Sequence, residues 1–152
     1  MGPSSHPSRT SEHRDVATER VLLARLPAAT VAAALAGAAG NSLVWAVGDA
    51  VDRMTLGLGE VLMASTIGAV AGGVALALCG RWAKRPVRLF LILSAVVVVL
   101  YAGGPVSAVY APYMEGAELF NVTTLVATEA MHLVSAAATI LILLRYAVDR
   151  PS

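Results

Sequence analysis

Four long apolar segments constrain this chain more than any other feature of its sequence. Leu26–Gly48 contains no charged residue in 23 positions and Val61–Cys79 contains none in 19, and two further segments run from Leu89 to about Ser107 and over Leu119–Leu144. A helix needs about 20 apolar residues to cross a hydrocarbon core of roughly 30 Å. The sequence therefore predicts an all-α fold, a four-helix transmembrane bundle with spans at about 26–48, 60–79, 88–107 and 119–144.

The composition agrees with lipid as the main solvent of the chain. Hydrophobic residues make up 57% and charged residues 14% of the sequence, whereas soluble domains carry about 25% charge. No basic cluster is interleaved with aromatic residues, so we expect the bilayer and not nucleic acid to be the partner. Cys79 is the single cysteine, which excludes an internal disulfide and a cysteine-based metal site.

The ends of the chain differ from its centre. Residues 1–20 are polar and rich in Pro and Ser, which predicts a flexible N-terminal tail. The membrane domain is expected over 21–147, and 148–152 form a short C-terminal tail. Within the third span, Pro105 is expected to kink or end the helix.

The basic residues predict the orientation in the membrane. Ten of the eleven lie before the first span, between the second and third, or after the fourth, and Arg53 is the exception. Cytoplasmic loops collect Lys and Arg, so both termini are predicted to be cytoplasmic in a multi-pass protein of the inner (plasma) membrane. The opposite side collects acidic residues: Asp49, Asp52, Glu60, Glu115 and Glu118.

Small residues predict how the helices pack. The first span contains Ala33-x-x-x-Gly37 and Ala36-x-x-x-Gly40, and the second contains Gly68-x-x-x-Gly72, a pattern that lets helix backbones approach closely in lipid. The pattern favours packing within the chain, and a homo-oligomer through the same faces is the alternative. Six aromatic residues are expected to anchor helix ends at the interface: Trp45, Trp82, Tyr101, Tyr110, Tyr113 and Tyr146.

The fourth segment is the only one with charge inside it. A polar stripe at spacings of three and four predicts one face turned into the bundle, with Glu129 beside it, about 15 Å from the outer end at 1.5 Å per residue. The stripe consists of Asn121, Thr124, Thr128, His132, Ser135 and Thr139.

These residues, with Asn41 about 10 Å deep in the first span, suggest a polar pocket that opens outward. Ser65 and Thr66 are expected at a similar depth. The candidate catalytic residues are Glu129, His132 and Glu60, and the candidate ligand-binding residues are Asn41, Thr128, Ser135, Trp45 and Asp49.

A carboxylate near the bilayer midplane is costly, so it is protonated, paired with imidazolium, or solvated. Each state leaves a group that can give or take a proton, yet the same residues can serve only as hydrogen-bond glue between helices. Glu129-x-x-His132 has the spacing of half a di-iron site, but that site needs a second pair and two more glutamates. No metal and no cofactor is therefore predicted.

Residues from about Val21 to Arg145 resemble an actinobacterial family of small four-helix integral membrane proteins of unassigned function. The resemblance rests on "LCGRWAKRP" after the second span, "GGPVSA" after the third and "AMHLVSAAATILI" in the fourth. It implies the four-span fold and places Pro105 and His132 in the shared pattern. It implies no activity and does not include Glu129.

Three functions stay open from the sequence. The first is a scaffold, an accessory subunit or a binder of a lipophilic ligand. The second is an intramembrane enzyme, a cyclase or isomerase of prenyl-type substrates, in which Glu129 or Glu60 donates a proton and His132 tunes it. The third is a proton-coupled oligomeric transporter. Whether the protein is an enzyme is not decided by the sequence.

Overall fold

A computed structural model describes residues 19–110 and 122–149, without the side chains of 102–110. This part of the chain forms four helices: α1 over Leu26–Val51, α2 over Leu58–Trp82, α3 over Pro86–Tyr110 and α4 over Val122–Tyr146. A 3₁₀ turn, Leu23–Arg25, leads into α1. Two short strands, β1 at Arg20–Val21 and β2 at Val148–Asp149, flank the helices. The predicted all-α bundle of four helices is confirmed.

Among the described residues, three helices are long and apolar enough to cross a membrane: Leu23–Val51, which includes the 3₁₀ turn, Leu58–Trp82 and Val122–Tyr146. The stretch of α3 whose side chains are described, Pro86 to Tyr101, is also apolar. Many large apolar side chains point outward, such as Leu35 at 67% exposure and Val99 at 71%. Burial of apolar surface normally drives folding in water, so this outer surface suits lipid and indicates a membrane protein.

Local sequence accounts for the helix boundaries. Pro27 and Pro86 lie in the first turns of α1 and α3, where a missing N–H costs little. α2 follows Gly57, and the Glu60 carboxylate accepts a hydrogen bond from the Gly57 N–H at 3.0 Å. α3 continues through Pro105 to Tyr110. The expectation that Pro105 could end the helix is therefore wrong.

α1 is the helix around which the bundle is organised. It packs along α2 and α4, while α3 packs on α2 and α4 and makes less contact with either. Buried positions recur mainly every four residues along each interface and are mostly small, which brings the backbones close. They include Ala29, Ala33, Gly37 and Asn41 on α1, Val61, Ser65, Ala69 and Gly73 on α2, and Ala127, Met131, Thr139 and Leu143 on α4.

Two adjacent glycines of α2 serve two different interfaces. A Cβ added at Gly72 would lie 2.5 Å from Thr139 Cγ2 of α4, and one added at Gly73 would overlap Thr30 Oγ1 of α1. Nothing lies within 4 Å of a Cβ at Gly68. The small-residue prediction is thus confirmed for Gly37 and Gly72, but Gly68 faces outward and takes no part in the packing.

The two chain ends are fastened together at one end of the bundle, called here the clasp end. β1 pairs antiparallel with β2, and the Leu22 N–H donates to the Ala147 carbonyl at 2.8 Å. Val21 packs over Gly80 near the end of α2. A hydrophobic cluster at this end includes Cys79 of α2, Val87 of α3 and Val148 of β2. The opposite end, called the far end, carries the α1–α2 loop at residues 52–57.

The two glycine environments give a matched pair of substitutions. We expect Gly73→Ala to destabilise the bundle by about 1–3 kcal/mol, the usual cost of overpacking, because the short Thr30 side chain cannot move aside. Gly68→Ala should change the unfolding free energy by well under 1 kcal/mol. Detergent-induced unfolding of both variants measures the difference, and equal stability would contradict the described α1–α2 contact.

Candidate functional site

Asn41 connects three helices at the centre of the bundle. Its Nδ2 donates to Ser65 Oγ of α2 at 2.9 Å and to Ser135 Oγ of α4 at 2.7 Å. Ser65 in turn donates to the Val61 carbonyl at 2.7 Å. Asn41 is 4% exposed and Ser65 is 3% exposed. We call Asn41, Ser65 and Ser135 the Asn41 node.

Apolar side chains close the Asn41 node toward the far end. Val61, Met131 and Ala127 form a buried cluster, and Val44, Trp45 and Met54 pack against it. These residues lie about one to two turns beyond the node along their helices, or in the adjoining loop. Apolar packing therefore separates the node from the far end along the described part of this three-helix interface. Thr66, expected beside the node, is exposed and donates to the Leu62 carbonyl.

Three further candidate residues organise the far end. Trp45 Nε1 donates to the Leu56 carbonyl at 2.8 Å, and Asp49 Oδ1 accepts from the Met54 N–H at 3.0 Å. Glu60 caps α2 as described above and is exposed. The structure therefore places Trp45, Asp49 and Glu60 where they hold the α1–α2 loop and the start of α2. It does not bring them together with Glu129.

Glu129 and His132 form a separate polar pair on α4. Both side chains are half-buried. Glu129 Oε1 and His132 Nδ1 are shielded from solvent and have no hydrogen-bond partner among the residues that the structure describes. Along α4 they lie about 10 and 15 Å from Val122 at 1.5 Å per residue.

Tyr101 of α3 packs edge-on against His132. The ring centroids are 5.6 Å apart and the ring planes meet at 77°, a favourable arrangement for two aromatic rings. Tyr101 lies about 22 Å from the start of α3 at 1.5 Å per residue. Tyr101, which the sequence predicts to anchor a helix end, contacts the candidate site in the structure. Sequence reasoning missed this contact because spacing on one helix carries no information about its neighbour.

The polar stripe of α4 divides by environment. Thr128 Oγ1 donates to the Thr124 carbonyl within its own helix at 2.7 Å, so its hydroxyl proton is already used. Ser135 belongs to the Asn41 node, and His132 faces α3. Asn121 lies outside the described residues.

The Glu129–His132 pair can form new hydrogen bonds, as can Asn41 Oδ1, which is likewise buried without a hydrogen-bond partner among the described residues. A carboxyl oxygen accepts when ionised and can donate when protonated, and an imidazole nitrogen does either according to its tautomer. Within the described ranges no group of three His, Cys, Asp or Glu could hold a metal ion. The chemistry available is therefore hydrogen bonding or proton exchange with a molecule that reaches α4.

Fold and site together define a helical bundle of membrane-protein type with a closed polar centre and a second, incompletely bonded polar pair. The chain belongs to the family of unknown function DUF6069, whose model matches residues 14–149. No curated protein and no solved structure matches the chain. The membership agrees with the resemblance to a family of unassigned function, while an actinobacterial origin stays a prediction.

The Asn41 node predicts a stability difference between neighbouring residues. Asn41→Ala removes both interhelical hydrogen bonds and should lower the unfolding free energy by about 1–3 kcal/mol, at about 0.6–1.7 kcal/mol per bond. Ser42→Ala is the control, because the Ser42 hydroxyl donates to Ala38 within α1. Reversible unfolding in mixed micelles measures both variants. Similar stabilities for the two variants would show that the node does not tie the helices.

Proposed function

We propose that this protein crosses the plasma membrane four times with both termini in the cytoplasm, and that Glu129 and His132 bind a lipophilic small molecule taken from the bilayer. The observation that carries the binding proposal is the pair of shielded, unpartnered atoms Glu129 Oε1 and His132 Nδ1. A polar group on a bound molecule would supply the missing partners.

Energetic cost supports a ligand over a purely structural role. A buried polar atom without a partner costs about 1–3 kcal/mol, and more when charged. Hydrogen-bond glue would join the pair to another helix, as Asn41 joins Ser65 and Ser135. Glu129 Oε1 and His132 Nδ1 make no such bond within residues 19–110 and 122–149 as described. The pair therefore has the cost of buried polar groups without the interhelical bonds that normally offset it.

The surroundings favour a ligand with an apolar body. From Leu91 to Tyr101 no side chain of α3 is buried, whereas Val87 and Phe90 nearer the clasp end are. Tyr101 borders His132 on this loosely packed part of α3. A molecule lying there would contact apolar surface along its body and the Glu129–His132 pair with its polar group. Substrates of an intramembrane cyclase or isomerase would share this character, with Glu129 as the proton donor.

Charge distribution supports the proposed orientation. Of the described basic residues only Arg53 lies at the far end, where Asp49, Asp52 and Glu60 also lie. β1 and β2 hold both chain ends at the basic clasp end. The positive-inside rule then assigns the clasp end to the cytoplasm.

Reporter fusions test the orientation. A fluorescent protein fused after Ser152 should fold and fluoresce, because that end is cytoplasmic, while alkaline phosphatase at the same position should be inactive. Insertion of the phosphatase in the loop at 52–57 should give activity. The reverse pattern would contradict the proposed topology.

Native mass spectrometry of protein extracted in mild detergent tests the ligand. Wild type should carry a discrete lipophilic adduct, and Glu129→Gln and His132→Ala should each retain it at least about tenfold less, since one lost hydrogen bond to a charged group is worth about 1.5–3 kcal/mol. Leu133→Ala is the control, because Leu133 lies beside the pair on α4 and is 58% exposed.

Thermal unfolding of the same samples separates binding from folding. If Glu129 and His132 bind the ligand, both variants should remain folded while they lose the adduct. If wild type carries no adduct and the two variants only unfold at lower temperature, Glu129 and His132 are structural and the binding proposal is wrong.

A further inference from the structure

The clasp end presents a concentrated basic surface. Seven of the eight described basic side chains lie there, and all seven are exposed. Only two described acidic residues, Glu19 and Asp149, lie at this end. Within residues 19–110 and 122–149 none of the seven forms an ion pair with another described side chain. The basic surface consists of Arg20, Arg25, Arg81, Lys84, Arg85, Arg88 and Arg145.

One hydrophobic cluster holds the segments of this surface together. It contains Leu26 of α1, Cys79 of α2, Val87 of α3 and Val148 of β2, with Val21 of β1 packed against it. The basic residues flank these buried positions in sequence. The cations are therefore fixed near one another by the core of the clasp end and do not depend on separate mobile loops.

The start of α3 concentrates positive charge further. Lys84, Arg85 and Arg88 flank the first turn, and that turn contains no acidic residue. The partial positive charge of a helix N-terminus disfavours cations there. An anion seated among these three side chains would relieve repulsion from both sources, so this part of the surface should gain most from a bound anion.

Exposed aromatic side chains indicate where that anion would lie. Trp82 ends α2 at 74% exposure, and Tyr146 ends α4 at 54%. Trp and Tyr prefer the headgroup level of a bilayer. The Arg145 guanidinium stacks 6.0 Å from the centre of the Tyr146 ring. The basic surface thus adjoins the lipid-facing belt of the helices at the depth of phospholipid phosphates.

We propose that the basic surface is a binding site for anionic phospholipid, with the phosphate diester of phosphatidylglycerol or cardiolipin held by Lys84, Arg85 and Arg88 and by the neighbouring arginines. Arginine suits phosphate because its planar donors bind two oxygens at once. Bound lipid stabilises the clasp end by offsetting the repulsion among its cations. This inference rests on the membrane placement proposed above but not on the Glu129–His132 ligand.

Lipid retention by the full-length protein tests the proposal. Purified protein is placed in nanodiscs of phosphatidylcholine mixed with phosphatidylglycerol, and the lipids that remain bound after transfer to detergent are identified by native mass spectrometry. Phosphatidylglycerol should be enriched over phosphatidylcholine. The combined substitution Lys84→Gln, Arg85→Gln and Arg88→Gln should weaken its retention roughly tenfold to hundredfold, since each cation near a membrane contributes appreciably.

Two comparisons keep the test decisive. Arg53→Gln at the far end should leave retention unchanged. Arg20→Gln combined with Arg25→Gln removes charge from a different segment and should also weaken retention, which guards against misfolding of the α2–α3 turn alone. Equal retention of the two lipids, or unchanged retention in both multiple variants, would overturn the proposal.

Further measurements show whether the bound anion is a lipid headgroup or free phosphate. Inorganic phosphate, added in place of anionic lipid, should not raise the thermal stability of the protein in phosphatidylcholine, whereas phosphatidylglycerol should. Equal stabilisation by phosphate would contradict a lipid site. Extraction of the protein from membranes by alkaline carbonate would instead refute the membrane placement itself, so the two failures are distinguishable.

Discussion

A polar group inside an apolar bundle costs free energy unless it is hydrogen-bonded, and the Asn41 carboxamide is the group whose hydrogen bonds join three helices of this bundle. It reaches α2 and α4 at once, which it can do only because small residues let the three backbones approach. Gly37 faces Ser135 on α4 and Gly73 faces Thr30 on α1. Close packing and the interhelical hydrogen bonds are therefore mutually dependent.

The Asn41 node and the Glu129–His132 pair show two ways of placing polar groups in such a bundle. The node is enclosed by packing and joins helices, so its bonds serve the fold. Glu129 and His132 lie one helical turn apart on α4. His132 contacts Tyr101, in a part of α3 that is little buried. The proposed ligand would supply hydrogen-bond partners for Glu129 Oε1 and His132 Nδ1. Because the node joins α4 to α1 and α2 while His132 contacts Tyr101 of α3, a function at the pair does not require breaking the node.

Sequence was a good guide to the helices and a partial guide to the site. The lengths of apolar segments gave the four helices, because crossing a bilayer fixes length and hydropathy together. Asn41 and Ser135 were singled out as buried polar residues, but their common bond with Ser65 depends on the rotation and depth of three helices. Gly68 shows the same limit, since its spacing from Gly72 matched a packing motif while its face points outward.

Three candidate residues make local hydrogen bonds that stabilise the fold. Asp49 and Trp45 bind backbone groups of the α1–α2 loop, and Glu60 caps α2. Such bonds depend on the path of a short loop, which residue type alone does not specify. The contact between Tyr101 and His132 likewise needs α3 beside α4. Residue chemistry indicated which side chains could be functional, and the tertiary contacts show which groups each of them bonds to.

The most direct test of the central claim is an experimental structure of the protein in lipid nanodiscs, determined at a resolution that shows side chains. The account predicts non-protein density within hydrogen-bond distance of Glu129 Oε1 and His132 Nδ1, extending along α3 past Tyr101. If both atoms are instead bonded to side chains of the protein itself, with only unstructured lipid against α3, the pair is part of the fold and the proposed ligand site does not exist.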